Sequence, residues 1–385
     1  MTPGSRPAPP GAAIVHVVRE PEISGSQRVA LAILGDPSLA GFRRVVVSGS
    51  ESLASPRFVG ELSRLGIERV HVETLCRDVG PRDVRTFREL LRILRDVKPA
   101  LVHTHSAKPF FLAGLAASIA RVPHRVHTLH GISFHRFAPP LRRGAYYLLE
   151  QLSTFFYHCT VSVNRYYARF FALARARGAF EVIQNGVDLP RADLPRDDGA
   201  ADEYPILFVG RLDDQKDPLF VIEVAKAIDR HWKAGAPPRF YVAGDGPLAA
   251  EVGAAVASSG LQSRVVLLGW VGDLTPWYAR AKVLFLPSRW EACGLVLIEA
   301  AARGCPSVAT RVEGVPEFVR DGSNGLLFEQ GDVEAACRQL ARLAREPALH
   351  RSLADQARLD ARARDSATMI ARYRELYRRL GLALP

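Results

Sequence analysis

Short runs of β-branched and other apolar residues alternate with longer amphipathic segments along almost the whole chain. The short runs predict strands, and their alternation with helical segments predicts parallel, doubly wound sheets of the α/β class. In the first half we expect strands at residues 14–18, 44–47, 69–72, 100–103, 125–129, 159–163 and 181–183. In the second half we expect them at residues 205–209, 239–242, 265–268, 283–286 and 307–309.

Helical spacing of apolar residues predicts helices over 82–96 and 218–233, for example. A stretch rich in Pro, Asp and Ala around 191–204 has no periodicity and predicts a linker. We therefore expect a first domain over 14–190 and a second over 205–366. A final helix presents one apolar face, and we expect residues 367–385 to pack back on the first domain. Its apolar residues are Ile370, Tyr373, Leu376, Tyr377 and Leu380.

Composition narrows the class of protein. With 48% apolar and 24% charged residues, the 385-residue chain matches a folded globular protein rather than a disordered or fibrous one. Its longest apolar stretch, Phe110 to Ala120, is too short to span a bilayer. The Pro-rich residues 1–13 lack an apolar core, so we interpret them as a flexible tail and not a signal peptide. Five scattered cysteines favour a reducing cytoplasm over a disulfide or zinc framework.

The positive charge is concentrated in the first half of the chain. Up to Pro190 there are 25 Lys and Arg against 14 Asp and Glu, whereas the remainder is neutral. This excess favours an anionic partner, with a general preference for Arg as the alternative. Arginines interleave with aromatic residues between Phe134 and Phe180, which favours docking on an anionic membrane face. No nucleic-acid-binding pattern accompanies the charge, so we expect no nucleic-acid partner.

The strongest chemical signal follows the predicted strand 283–286. Gly294 and Leu295 can begin a helix whose N–H groups suit phosphate or sugar oxygens. Glu291 lies in the loop before that helix and Glu299 one turn inside it. The two carboxylates are therefore candidates to contact different parts of one hydroxyl-rich ligand.

Two glycine turns follow strands in the same half. Gly210, Arg211 and Lys216 lie between a strand and the next helix, where two cations suit a diphosphate. Gly244 follows the next predicted strand in a Gly-Asp-Gly-Pro turn.

Two further candidates lie in the first half. His130 ends a strand, where a neutral imidazole can bind a hydroxyl or transfer a proton, or simply bond to local backbone. Gly25 follows the first strand and permits close approach of a ligand. His103 and His105 form a pair, but no carboxylate or cysteine accompanies them, so we expect no metal.

These segments, in this order, resemble the retaining family 4 glycosyltransferases of the GT-B fold over nearly the whole chain. The similar motifs are Gly210-Arg-Leu with Lys216, Gly244-Asp-Gly-Pro, and Glu291 followed eight residues later by Glu299. The resemblance implies two Rossmann-like domains facing each other across a cleft. It also implies transfer of a hexose-type sugar from a nucleotide sugar, by resemblance a UDP-sugar, to a lipid-linked or saccharide acceptor in bacterial surface polysaccharide synthesis (O-antigen, capsule or exopolysaccharide).

The resemblance assigns roles to particular residues. Arg211 and Lys216 match the positions that neutralise the diphosphate, and Glu299 the residue that bonds the ribose. Glu291 with the amides of Gly294, Leu295 and Val296 matches contacts to sugar and phosphate. Trp270 and Val271 match a position near the base, and His130 a position beside the transferred sugar. Ala292-Cys293 and Gly25-Ser26 stand where the family usually has Gly-Phe and Gly-Gly.

Two other functions remain open from the residues alone. One is a nucleotide-sugar epimerase of the same fold, and the other is a relative that binds the nucleotide sugar without catalysis. For the transferase we expect no metal cofactor, and a cytoplasmic location at the inner face of the plasma membrane.

Overall fold

A computed structural model describes residues 12–76, 79–190 and 202–384. All but the last two residues of the expected tail 1–13, and most of the expected linker 191–204, lie outside this range. The described residues up to Asn185, together with those from Ala367 onward, form one compact unit. Gly186–Ser366 form the other. The second unit therefore begins before residue 190, because Val187 bridges to Asp365 and donates its N–H to the Arg364 carbonyl.

The first unit contains a parallel sheet with the strand order β3-β2-β1-β4-β5-β6-β7. Every residue of the two central strands, Ala13–Val17 and Leu101–His105, is buried, as expected for a parallel sheet covered on both faces. The strands are β1 (Ala13–Val17), β2 (Arg43–Ser48), β3 (Glu68–His71), β4 (Leu101–His105), β5 (His124–Leu129), β6 (Cys159–Ser162) and β7 (Phe180–Val182).

Helices connect these strands, as parallel pairing requires. They are α1 (Gly25–Leu34), α2 (Pro56–Leu65), α3 (Arg82–Val97), α4 (Ala107–Ile119), α5 (Pro140–Ser153), α6 (Arg165–Ala168) and α7 (Ala172–Ala176).

The second unit contains a parallel sheet with the order β10-β9-β8-β11-β12-β13. Its strands are β8 (Tyr204–Val209), β9 (Pro238–Ala243), β10 (Val265–Gly269), β11 (Val283–Leu286), β12 (Ser307–Thr310) and β13 (Gly325–Phe328). The helices are α8 (Pro218–Ala227), α9 (Ala249–Ser258), α10 (Thr275–Arg280), α11 (Leu295–Ala302), α12 (Val333–Arg345) and α13 (Pro347–Arg362).

The last helix, α14 (Ser366–Arg379), packs on the first sheet. Met369, Tyr373, Leu376 and Tyr377 join the same apolar cluster as Ile14 of β1. Arg374 adds a two-point ion pair to buried Asp36 in the same unit.

The doubly wound α/β class is confirmed in both units. Each of the twelve predicted strands is present with ends shifted by at most two residues, whereas β13 was not predicted. In such sheets ligands bind beyond the carboxyl ends of the strands, which directs attention to the loops after β8, β9 and β11. Among the described residues, no helix is both long and apolar enough to cross a membrane.

Candidate functional site

The loops after β8 and β9 approach each other more closely than side chains would permit. A Cβ on Gly244 would lie 1.8 Å from the Gly210 carbonyl oxygen, and Gly244 has a φ of +154°. Gly244 is therefore required by the backbone itself. The Gly244 N–H also donates to the Gly269 carbonyl at 2.7 Å, which connects these loops to the end of β10.

Lys216 and Glu291 form the polar centre of this edge. The Lys216 ammonium donates to Glu291 Oε2, and the side chains are 16% and 8% exposed respectively. Glu291 Oε1 accepts the N–H of Gly294 at 3.1 Å. The aliphatic part of Lys216 lies over Gly210, where a Cβ would be 3.1 Å from its Cγ. A cation, a carboxylate and a helix start therefore meet at one point.

Backbone contacts fix the two loops that carry this pair. Gln215 Nε2 donates to the Trp290 carbonyl at 3.2 Å, and the Arg289 N–H donates to the Gln215 carbonyl at 2.8 Å. Because β8 and β11 are parallel neighbours in the sheet, the loops that follow them begin side by side and can contact each other directly.

Helix α11 begins where the sequence predicts. Gly294 is its N-cap with a φ of +63°, a left-handed conformation that favours glycine. Leu295 and Val296 occupy the first turn, and their N–H groups have no acceptor within the helix. Glu291 precedes the helix and Glu299 lies inside it, as predicted. N–H donors at the start of a helix are groups that bind phosphate oxygens well.

Glu299 has support that the sequence did not reveal. Its Oε2 accepts a hydrogen bond from the Tyr278 hydroxyl at 2.9 Å, and its carbonyl accepts one from Arg303 Nη1 at 3.1 Å. Tyr278 is 1% exposed and lies on α10. The Tyr278 hydroxyl orients the Glu299 carboxylate. One tyrosine in this short helix gives no sequence signal for the role.

Ser288 was also missed. Its Oγ is fully buried and has no hydrogen-bond partner among the described residues. Its carbonyl accepts the Thr310 hydroxyl at 2.6 Å, which places it just beyond β11, next to β12. A buried hydroxyl without a partner is costly in an empty site and favourable in one that holds a polar ligand.

Three predicted donor contacts lie further toward solvent. The Arg211 side chain is 45% exposed and lies 3.8 Å from Asp213. Trp270 is 52% exposed, and Val271 is intermediate in burial, immediately after β10. The structure therefore groups Gly210, Lys216, Gly244, Glu291 and Gly294 tightly and leaves Arg211 and Trp270 at the exposed side.

The two remaining predicted site residues belong to the first unit. His130 follows β5, and its Nε2 lies 3.0 Å from Nδ1 of His105. Burial lowers the pKa of His130 to about 3, so the imidazole is neutral at physiological pH. Gly25 is the exposed first residue of α1, where Ser24 and Ser26 both contact the buried Gln27.

Two family models match the chain. Residues 23–191 match the family model Glycosyltransferase Family 4, and residues 203–346 match the model Glycosyl transferases group 1. The fold and both models together identify the protein as a glycosyltransferase of the GT-B class. It belongs to the group 1, family 4 glycosyltransferases.

Individual relatives refine the comparison. The chain is 28% identical over 348 residues to UDP-Gal:alpha-D-GlcNAc-diphosphoundecaprenol alpha-1,3-galactosyltransferase of Escherichia coli, covering 82% of this chain and 87% of that protein. It is 26% identical to the putative glycosyltransferase EpsD of Bacillus subtilis, with coverages of 77% and 81%. The crystal structure of Anabaena HepE in complex with UDP and glucose matches with a TM-score of 0.79 and 19% identity, covering 96% and 100%.

Proposed function

We propose that this glycosyltransferase moves a hexose-type sugar from a UDP-sugar to a lipid-linked or saccharide acceptor in bacterial surface polysaccharide synthesis. The name of the E. coli relative supports a UDP-sugar donor and a polyprenyl-diphosphate acceptor. The UDP complex of HepE supports the same donor class.

The contact between Lys216, Glu291 and the start of α11 carries this proposal. Breaking the bond between sugar and phosphate develops negative charge on the leaving diphosphate. Preorganised cations and N–H groups stabilise that charge without reorganising during the reaction. In this assignment Lys216 shifts from its carboxylate partner toward the phosphate, Arg211 approaches from the exposed side, and Glu291 then contacts the sugar.

We further propose that the anomeric configuration is retained. The acceptor hydroxyl attacks the anomeric carbon from the side of the leaving group, while the bond to the diphosphate breaks. The hydroxyl proton passes to the departing phosphate oxygen, so no separate protein base is needed. In this mechanism His130 orients the sugar.

No metal is required in this proposal, since Lys216, Arg211 and the first turn of α11 supply the positive potential. Transfer should then persist in excess chelator. Loss of activity in chelator that Mg²⁺ restores would contradict it.

The acceptor side of the proposal rests on the first unit. One face of α5 exposes apolar residues at helical spacing, and its start carries the exposed Arg142 and Arg143. The exposed apolar residues of this face are Leu141, Leu148, Leu152 and, just after the helix, Phe155. Apolar residues beside arginines fit the surface of an anionic membrane, where a lipid-linked acceptor resides.

A donor panel tests the function directly. We expect UDP-sugars to raise the unfolding temperature more than GDP- or ADP-sugars. The stabilising donor is then incubated with a polyprenyl-diphosphate sugar, and the anomeric configuration of the product is read by NMR. Incubation without acceptor distinguishes the alternatives. A new nucleotide sugar would indicate an epimerase, and binding without any product would indicate a non-catalytic relative.

A further inference from the structure

The first unit buries an unusual number of imidazoles beneath its last helix. His16 on β1 pairs in register with His103 on β4, and His105 lies two residues further along on the same face. All three are fully buried. Neither the proposed phosphate chemistry nor apolar packing accounts for polar rings at these positions.

Hydrogen bonds connect these rings to His130. His130 Nε2 lies 3.0 Å from His105 Nδ1. The other nitrogen of that ring, His105 Nε2, lies 3.1 Å from His16 Nδ1. His16 Nε2 then lies 3.4 Å from the Tyr377 hydroxyl on α14.

The same series continues to a second tyrosine. The Tyr377 hydroxyl lies 2.6 Å from His103 Nδ1, and His103 Nε2 lies 2.8 Å from the Thr128 hydroxyl. Thr128 in turn lies 3.0 Å from the Tyr373 hydroxyl. We call the whole path from His130 to Tyr373 the histidine series.

A neutral imidazole has one N–H donor and one bare nitrogen acceptor. Burial lowers the pKa of His16 to about 3 and those of His103 and His105 well below 6.5, so these rings are neutral. Each of the three uses both nitrogens within the series. The buried Tyr377 and Thr128 hydroxyls have no hydrogen-bond partner outside the series in the described part of the chain, so each donates within it. Fixing the direction of one hydrogen bond therefore fixes every other, and only two proton arrangements are possible.

The tyrosine end selects between them. If Thr128 donated to Tyr373, the buried Tyr373 O–H would need a further acceptor, and no other hydrogen bond of Tyr373 is found in the described part of the chain. A buried O–H without an acceptor is costly, so Tyr373 donates and Thr128 passes the direction on. His103 Nδ1 then donates to the Tyr377 hydroxyl, which donates to His16 Nε2. His16 Nδ1 donates to His105 Nε2, and His105 Nδ1 donates to His130 Nε2.

We propose that the histidine series fixes His130 in the tautomer that carries its proton on Nδ1, so that His130 donates a hydrogen bond to an oxygen of the bound sugar and does not act as a base at that atom. The inference rests on the proposed function for the ligand only. Tyr373 and Tyr377 are positioning residues in this scheme, because they act through His130 and need not touch the ligand.

The first test observes the proton directly in the ligand-free protein. We expect ¹⁵N NMR of histidine-labelled wild type to show a pyrrole-like Nδ1 and a pyridine-like Nε2 for His130. Tyr377→Phe, which interrupts the series, should convert this pattern to a mixture of tautomers.

Tyr157→Phe is the matched control, because that hydroxyl is equally buried in the same unit but contacts Thr104 and the carbonyls of Pro109 and Phe110, outside the series. A wild-type pattern in Tyr377→Phe, or a proton on Nε2 in the wild type, would overturn the inference. So would stoichiometric metal bound by the three histidines, since metal would take the place of the shared protons.

The second test concerns the ligand. Tyr377→Phe should lower kcat/KM roughly two- to tenfold, in proportion to the fraction of His130 that leaves the Nδ1–H tautomer. Tyr157→Phe should leave it unchanged. Full transfer by His130→Ala would overturn the contact to the sugar, while the glycosyl transfer proposed for the second unit would stand. A protein without transferase activity whose His130 keeps the expected NMR pattern would instead contradict the proposed function alone.

Discussion

Lys216 donates to Glu291 across two loops that follow neighbouring strands of the second sheet, and Glu291 also accepts the N–H of Gly294. The pair brings the cation to the start of α11 before any donor binds. We expect Lys216→Met to lower kcat about 100- to 1,000-fold, because the stem that covers Gly210 is kept and only the charge is lost. Steady-state transfer assays measure this change.

Lys226→Ala is the control for that variant, because Lys226 is exposed on α8 of the same unit. It should transfer at the wild-type rate. Near-normal transfer by Lys216→Met would contradict the assignment of Lys216 to the leaving phosphate.

Tyr278 and Glu299 give a second prediction. Tyr278→Phe removes the hydroxyl that orients a carboxylate assigned to the ribose. Loss of one hydrogen bond to a charged group costs about 1.5–3 kcal/mol, so the KM for the donor should rise about tenfold or more. Tyr241→Phe removes a comparable hydroxyl from Glu203, which precedes the amino end of β8, and should not change donor affinity. Equal effects of both variants would show that Glu299 has no special role.

Gly244 and Gly253 provide a contrast within one unit. A methyl group on Gly244 would collide with the Gly210 carbonyl, whereas one on Gly253 of α9 meets only a Leu267 methyl at 3.9 Å. We expect Gly244→Ala to lower the free energy of unfolding by more than about 3 kcal/mol. Gly253→Ala should raise it by about 0.5–1 kcal/mol, as for glycine in a helix. Thermal unfolding of both variants measures the difference, and tolerance of Gly244→Ala would contradict the close approach.

Sequence periodicity predicted the strands and the start of α11, because both depend on local patterns. It missed β13, whose Gly-Leu-Leu-Phe run has no β-branched residues and no alternation. Even so, Gly325 pairs with Ser307 of β12, where a Cβ would lie 2.8 Å from the Ser307 carbonyl oxygen. Tertiary pairing, which no local pattern encodes, makes this segment a strand.

The same limit applies to the site. Lys216 and Glu291 were both identified from motifs, but their direct contact joins residues 75 positions apart. Tyr278 and the tyrosines of α14 gave only an apolar pattern, because a buried hydroxyl looks the same in sequence as a core aromatic ring. The predicted packing face of residues 367–380 contained Tyr373 and Tyr377, yet their hydroxyl partners become visible only in three dimensions.

The buried histidines predict a specific acid sensitivity. Their pKa values are lowered in the folded state, chiefly by burial, so below about pH 6.5 the unfolded chain binds protons that the folded chain does not. The contribution of these rings to the free energy of unfolding is therefore fully present above that pH. It falls on acidification, by up to about 1.4 kcal/mol per pH unit for each ring. The rings are His16, His103, His105, His127 and His130.

Glu150 acts in the opposite direction, since burial raises its pKa to about 7. Between about pH 4.5 and 7 the Glu150 carboxyl stays protonated in the folded state but not in the unfolded state. Its contribution to the free energy of unfolding therefore falls as the pH rises. Urea unfolding of Glu150→Gln between pH 5 and 7.5 should therefore show a steeper acid loss than the wild type. If the free energy of unfolding of the variant did not change over this pH range, the buried histidines would not be neutral in the folded state.

The exposed face of α5 gives the last prediction. Leu148 and Leu152 are 59% and 50% exposed and lie one turn apart on a helix that carries two arginines in its first turn. We expect Leu148→Asp combined with Leu152→Asp to weaken binding to phosphatidylglycerol-containing vesicles at least tenfold, because apolar insertion is lost and two anionic repulsions are added. The unfolding temperature should change little, as both side chains already face solvent.

Leu359→Asp on α13 of the second unit, where the leucine is 54% exposed, is the control and should bind as the wild type does. Wild-type binding should weaken with salt, since the arginines contribute electrostatically. Vesicle cosedimentation in which the double variant equals the wild type, or in which neither protein binds at low salt, would exclude α5 as the membrane contact.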